Sequence, residues 1–218
     1  MDDIGFLLHD VPRPVVFDVG ANTGQSVANF RRLLPDSTLH SFEPGRRAFQ
    51  ELSSSSRGLR NVHLVNAAVG SAPGRLTLIE NEYTDMSSFL RPSTAAWGAV
   101  VAETEVEVTT VDGYCAEHGI DRIDLLKIDT QGYELEVLRG ADGMLAAGGI
   151  GLVYLEVTFI DMYEGLPPFD VLYRFLLDRG FRLVTLDNFH MHWSRILGWC
   201  DALFAHETFY SAPREDEA

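Results

Sequence analysis

The run Val15-Val16-Phe17-Asp18-Val19 ends in Gly20-Ala21-Asn22-Thr23-Gly24, and a second short run stops on an acid in Ser41-Phe42-Glu43-Pro44. The first run is β-branched and aromatic. From Gln25 to Leu34, Val27, Phe30, Leu33 and Leu34 share one helical stripe, so the segment reads strand, turn, helix. Such a turn presents backbone amides to a ligand, and Gly20 stands where a Cβ would obstruct both the reversal and the ligand. Asn22 tolerates a left-handed backbone. Glu43 lies about 20 residues on, the spacing at which a carboxylate accepts hydrogen bonds from both hydroxyls of a ribose. Asp18, Gly20, Asn22, Thr23, Gly24 and Glu43 are therefore candidate contacts to a nucleoside cofactor. The bland alternative is an ordinary turn followed by a surface acid.

A dinucleotide needs the GxGxxG spacing to seat its pyrophosphate, and here glycine recurs only at Gly20 and Gly24. S-adenosylmethionine carries no phosphate. Its ammonium and sulfonium charges favour nearby acids such as Asp18, and its carboxylate suits a helix N-terminus. Lys127 is the chain's only lysine and lies between Leu126 and Ile128, which excludes a phosphate loop. A Tyr-x-x-x-Lys pair would need tyrosine at position 123, which is Ile123.

A second chemistry, proton transfer, is suggested by acids at the ends of other apolar runs. Asp129 closes Ile123 to Asp129 and is the first candidate for a general base. Lys127, two residues earlier on the same face, would tune it or simply brace the strand end. Glu156 falls near the end of Ile150 to Val157, where it would face Asp129, share a proton with it or help hold a divalent cation. His190 and His192 share a face in an extended segment, as metal ligands or a base would. They also lie in the aromatic stretch Phe189 to Trp199, where histidines usually fill space. His206 is a weaker candidate, and no Cys/His cluster points to zinc. Need for a metal is left open.

Strands and helices alternate along the chain, which predicts an α/β fold with a mostly parallel sheet covered on both faces. Strands are expected at Thr38 to Glu43, Val62 to Ala67, Ile123 to Asp129, Ile150 to Val157, Phe181 to Leu186 and Ala202 to His206. Helices are expected at Arg46 to about Ser54, Tyr133 to Arg139 and Phe169 to Asp178. Arg75 to Ile79 and Val106 to Thr110 alternate with period two and form a small antiparallel addition. In such a sheet ligands collect outside the carboxyl ends of the strands, where Asp18, Glu43, Asn66, Asp129 and Glu156 all fall. Asn81 to Ala102 is long and rich in Ser, Thr, Pro and Gly, as a lid or a plain surface loop would be. Phe159 to Pro168 and Asn188 to Trp199 supply aromatic walls for sugar or lipid-like rings, or a homodimer contact.

At 218 residues and 46% hydrophobic content the chain buries about 70% of its unfolded surface, enough for one domain over residues 1 to 212 with a polar tail at 213 to 218. A net charge of −15 repels nucleic acid and anionic membranes. Cys115 and Cys200 are too few for a disulfide framework. No apolar run reaches the roughly 18 residues that span a bilayer, and acids stand where a secretory signal needs positive charge. A cytoplasmic location is the expectation.

Together these residues resemble the FkbM-type methyltransferases. The likeness rests on Phe17 to Gly24, Phe42-Glu43-Pro44, Asn66-Ala67-Ala68-Val69-Gly70 and Leu126 to Glu134 with Leu138-Arg139-Gly140. It extends to Leu155-Glu156-Val157 and Asp201-Ala202-Leu203-Phe204. It implies a Rossmann-like class I methyltransferase fold with an antiparallel last strand, S-adenosylmethionine as methyl donor and a hydroxyl of a sugar, glycolipid or polyketide-type natural product as acceptor. By the same likeness Asp18, Gly20, Asn22 and Gly24 hold the methionine end, Glu43 the ribose, and Asn66, Ala67 and Ala68 lie beside the adenine. Small Ala67 and Ala68 leave room for a flat ring. One departure is Gln131, where the family usually carries Glu. A non-catalytic nucleotide-binding protein on the same fold is the rival reading.

Overall fold

The computed structural model describes residues 2–210. The described residues form ten strands: β1 (Val15–Val19), β2 (Thr38–Phe42), β3 (Val62–Val65), β4 (Ala68–Val69), β5 (Gly74–Asn81), β6 (Val100–Thr109), β7 (Ile123–Ile128), β8 (Ile150–Thr158), β9 (Phe181–Met191) and β10 (Leu197–His206). The α-helices are α1 (Asp2–Leu7), α2 (Gln25–Leu33), α3 (Arg46–Ser55), α4 (Val111–His118), α5 (Glu134–Arg139), α6 (Asp142–Ala146), α7 (Phe169–Leu177) and α8 (Glu207–Tyr210).

Seven strands make one sheet in the order β3-β2-β1-β7-β8-β10-β9, parallel except for β10, which runs antiparallel to both neighbours. Every residue of β7 is buried, as a central strand covered on both faces requires. Alternate residues serve opposite layers. Val16, Leu39, Leu125, Leu152 and Leu203 pack under α1, α2 and α3, while Phe17, Leu126, Val153 and Phe204 pack under α4 to α7. The second sheet, β4-β6-β5, pairs β5 with β6 antiparallel, as the sequence period required.

Strand order reverses at β1, whose neighbours are β2 and β7, so a crevice opens outside the carboxyl ends of β1 and β7. Register then fixes what lines it. Asp18 is level with Lys127 and Lys127 with Tyr154. Two residues further along, Asp129 comes level with Glu156, which pairs with Asp201, itself paired with Asp187. The period of two thus stacks a row of carboxylates above a row holding the one lysine.

Several boundaries differ from the sequence reading. β9 and β10 are longer than expected, because their outer halves pair as a hairpin through register shifts around Trp199. Its side chains Phe189, Met191, Trp193 and Ile196 are exposed, so core burial gave no periodic signal there. Of the expected loop from Asn81 to Ala102, Asn81 belongs to β5 and residues 100–102 to β6. The connecting residues carry a 3-10 turn at Thr84–Met86. The expected polar tail lies outside the described residues.

Gly20 has φ +78°, and a Cβ there would stand 1.8 Å from the Asp129 carbonyl oxygen. Gly20→Ala is expected to destabilise by about 2–5 kcal/mol, combining left-handed strain with overpacking against backbone. Equilibrium urea unfolding checks this, and an unchanged midpoint contradicts it.

Candidate active site

At the end of β1 the amides of Gly20 and Ala21 both donate to the Phe42 carbonyl at 3.0 Å, which turns the chain across the end of β2. Asn22 adopts φ +47°. Its amide donates to Glu43 Oε2 at 2.9 Å, and the Gly45 amide donates to Glu43 Oε1 at 2.7 Å. Each carboxylate oxygen therefore keeps a lone pair for a ligand. Burial pushes Glu43 up to about 7, against the two backbone donors and Lys127, which favour its charged form.

Beneath the turn lies Lys127. Its Nζ donates to the Gly20 carbonyl at 3.0 Å and stands 3.2 Å from Asp18 Oδ1 and 3.5 Å from Asp129 Oδ2. Burial alone would lower its pKa, but the two carboxylates outweigh burial and raise it, so it stays cationic.

The loop after β7 is built on Glu134, the first residue of α5. Glu134 Oε1 accepts from the Thr130 amide at 2.9 Å, the Thr130 hydroxyl at 3.0 Å and the Gly132 amide at 3.2 Å. That clasp lets Gln131 take the left-handed φ of +55°. Gln131 Nε2 then reaches Asp129 Oδ1 at 3.1 Å and Glu156 Oε1 at 3.3 Å, while its Oε1 accepts from the Tyr163 hydroxyl at 2.9 Å. The Ser88 hydroxyl donates to the Gln131 carbonyl at 2.7 Å.

A cavity of about 250 Å³ runs from Glu43, Ala67 and Ala68 at one end, across Gly20, to Asp129 and Glu156 at the other. Residues of the connection between β5 and β6 close one wall, with Met86, Phe89 and Trp97 among them, and Trp199 lies against Trp97 at 5.5 Å between ring centroids. A second cleft of about 340 Å³ follows α2 along Gln25, Ser26 and Asn29 and reaches Tyr154, Asn188 and Asp201. The two share Gly20, Asn22, Asp85 and Asp129. Among the described residues, no three His, Cys, Asp or Glu side chains are arranged to hold a metal ion. Nor is any helix there long and apolar enough to cross a membrane.

A family model described as the Methyltransferase FkbM domain matches residues 18–183. The chain belongs to the FkbM methyltransferase family. It is similar to the 2-O-methyltransferase NoeI of Sinorhizobium fredii, 28% identical over 172 residues covering 74% of this chain and 70% of that protein. It is also similar to methyltransferase sdnD of Sordaria araneosa, 28% identical over 158 residues, but this match spans only 61% of that relative's length and 59% of this chain. Among solved structures, precorrin-6y C5,15-methyltransferase of Geobacter metallireducens aligns with a TM-score of 0.53 at 14% identity, over 94% of this chain and 85% of that one. Magnesium protoporphyrin IX methyltransferase of Synechocystis aligns at 0.51 and 11%, over 94% and 77%. At such identities the likeness speaks for the fold, which is that of the class I methyltransferases.

In this FkbM methyltransferase Gly20, Asn22, Glu43, Ala67, Ala68, Asp129 and Glu156 converge on one cavity. Asp18, expected to face a cationic ligand directly, has no exposed surface and lines neither cavity. Strand alternation turns it toward α2, where it accepts from Ser26 Oγ at 2.5 Å and pairs with Lys127. Thr23 and Gly24 also lie behind the turn, and the Thr23 carbonyl accepts from Ser55 Oγ at 3.0 Å. Asn66 ties strand ends together, donating to the carbonyls of Glu43 at 2.8 Å and Pro44 at 3.2 Å. His190 stacks on Trp199 at 5.0 Å, outside the cavity lining, so it backs the wall and does not meet the acids. His192 bonds Ser194, and His206 bonds Thr208 at the far end of β10. Gln131's bridge, Tyr163 and the contacts of Asp201 with Tyr154 and Asn188 escaped sequence reasoning. The motif Asp201-Ala202-Leu203-Phe204 named Asp201, but its place beside Glu156 comes from the antiparallel register of β10 on β8.

Glu134→Ala leaves two amides of the 129–132 loop without their acceptor and is expected to destabilise by about 1–3 kcal/mol. Hydrogen exchange at the Thr130 and Gly132 amides should accelerate well beyond the β7 amides. Uniform protection across both segments contradicts the clasp.

Proposed function

We propose that this chain transfers a methyl group from S-adenosylmethionine to a hydroxyl oxygen of a sugar, glycolipid or polyketide-type acceptor. One observation carries the reading: a single cavity joins a ribose-type carboxylate, Glu43, to the paired acids Asp129 and Glu156 at the switch point of the sheet. Similarity to a relative named as a 2-O-methyltransferase supports oxygen as the receiving atom.

The residues present fit the donor. Asn22 Oδ1 is buried without a hydrogen-bond partner, an acceptor left over at the turn. Gly20 leaves the backbone open to close approach. Lys127 is committed to Asp18, Asp129 and Gly20, so it is not available to hold a pyrophosphate, whereas acids line the cavity and favour a cation. When bound, S-adenosylmethionine supplies a methyl carbon on a sulfonium, whose bonding pair stays on sulfur as the acceptor oxygen takes the carbon.

The chain's own work is positional. Glu43 fixes the ribose through lone pairs left free by Asn22 and Gly45. Ala67 and Ala68 admit the flat base. Trp97 and Trp199 offer faces on which a sugar ring stacks. Holding the acceptor oxygen in line can remove about 7–11 kcal/mol of the barrier at the upper limit.

The ribose assignment has a pH signature. With Glu43 pushed to about 7 by burial in the free protein, the ribose hydroxyls bind its ionised form, so binding releases a proton below that pH. Affinity for S-adenosylhomocysteine should fall about tenfold between pH 8 and pH 6 in calorimetry. Glu43→Gln should bind more weakly at pH 8 and lose this dependence. A flat wild-type profile removes the ribose contact.

A further inference from the structure

Asp129 and Glu156 differ in how many of their oxygens are already engaged. Both oxygens of Asp129 already have a partner, one of them a cation: Oδ2 faces Lys127 Nζ at 3.5 Å and Oδ1 accepts from Gln131 at 3.1 Å. Glu156 Oε1 accepts from the same amide at 3.3 Å, while Oε2 has no hydrogen-bond partner among the described residues. A carboxylate paired with a cation is a poor proton acceptor, and one with a free oxygen in a cavity is a good one.

The amide's orientation follows from the two acids. Carboxylate oxygens only accept, so the two N–H bonds of Gln131 face the two acids and its carbonyl oxygen is left to accept from the Tyr163 hydroxyl, which also lies 3.3 Å from the Met86 carbonyl. Reversed, the amide would place its oxygen against two carboxylate oxygens. Tyr163 is itself nearly fully buried and anchored in a cluster with Met86, Ile160 and Met162.

We propose that Glu156, through Oε2, is the carboxylate that exchanges a proton with the acceptor, and that Gln131, held at its carbonyl oxygen by Tyr163, is the positioning residue that commits Oε1 and leaves Oε2 free. This rests on the methyltransferase reading of the cavity. As the acceptor oxygen gains its carbon, its O–H proton passes to Glu156 Oε2, and the carboxylate becomes a neutral acid. The surroundings suit that role. Burial raises the pKa of Glu156 well above the ordinary range, and Asp129 just beyond β7, Glu134 on α5 and Asp201 on β10 raise it further, with Lys127 opposing. Asp187 on β9 lies behind Asp201, and Tyr163 faces Gln131 from the loop after β8. Gln131 donates to the charged form, so its loss should raise the pKa again.

The test is a pH titration of side-chain carboxyl carbons by NMR, with the Glu156 signal identified by its absence in Glu156→Gln. In the wild type, Glu156 should titrate well above the other glutamates' usual range. Gln131→Leu should move it upward by about one unit, the size of a lost hydrogen bond to the charged form. Tyr163→Phe, which keeps the ring and frees the amide to turn, should move it the same way by a smaller amount, and it decides the matter if Gln131→Leu does not fold. Glu156 titrating as an ordinary glutamate, or a position unmoved in both variants, overturns the proposal. Wild-type protein that gives these titrations yet no heat with S-adenosylhomocysteine contradicts the donor assignment and leaves the division of labour between the acids standing.

Discussion

One ammonium group holds the ends of the two central strands together. Lys127 Nζ reaches Asp18 on β1, Asp129 beyond β7 and the carbonyl of Gly20 in the turn between β1 and α2, all within 3.5 Å. Asp18 has no exposed surface, and a buried carboxylate deprived of its cation costs about 3–5 kcal/mol. The pair is less a source of net stability than a constraint, because neither charge tolerates the loss of the other. Since strand order reverses between β1 and β7, the constraint acts where the sheet must open for a ligand. Turn and acids thereby become one rigid unit, so a methyl group seated on the turn stands in a fixed relation to Asp129 and Glu156.

The chain carries 32 acids and 17 basic residues, and its site has the same imbalance in concentrated form. Register lines up Asp129, Glu156, Asp201 and Asp187 across four strands, with Lys127 as the cation below. Neutral donors make up the deficit. Gln131 serves Asp129 and Glu156, while Tyr154 and Asn188 both donate to Asp201 Oδ2 at 2.7 Å. Burial nonetheless raises Asp201, against those two donors, and raises Glu156 further still above its ordinary value. Such a row attracts a cationic donor electrostatically and keeps a proton-accepting carboxylate within reach of its reacting carbon.

Much of this was legible because it is local. Strand periodicity located β1, β2, β7 and β8, and the spacing from Gly20 to Glu43 brought together two residues that line one cavity, since both kinds of signal are local in the chain. Asp18 was expected to face the ligand and instead lies beneath the turn. It shares the face of Val16, two residues earlier, and so points at α2, which a motif quoted without its strand face does not disclose. The β9–β10 hairpin was underestimated because its outer half is exposed and aromatic, with no buried face to mark the period. Gln131 and Tyr163 are 32 positions apart, and their contact depends on a left-handed backbone at Gln131 that Glu134 secures. No residue-type pattern encodes that. His190, legible only as half of an i, i+2 pair, serves as a backing for Trp199.

Lys127→Met keeps the aliphatic stem and removes the charge, so it isolates the interaction on which turn and acids depend. Thermal unfolding and S-adenosylhomocysteine calorimetry on that single variant measure it directly. The expected result is a loss of about 3–5 kcal/mol in stability, the cost of stranding Asp18, together with donor affinity reduced beyond detection. A variant that melts with the wild type and binds the ligand as tightly would contradict the account at its centre.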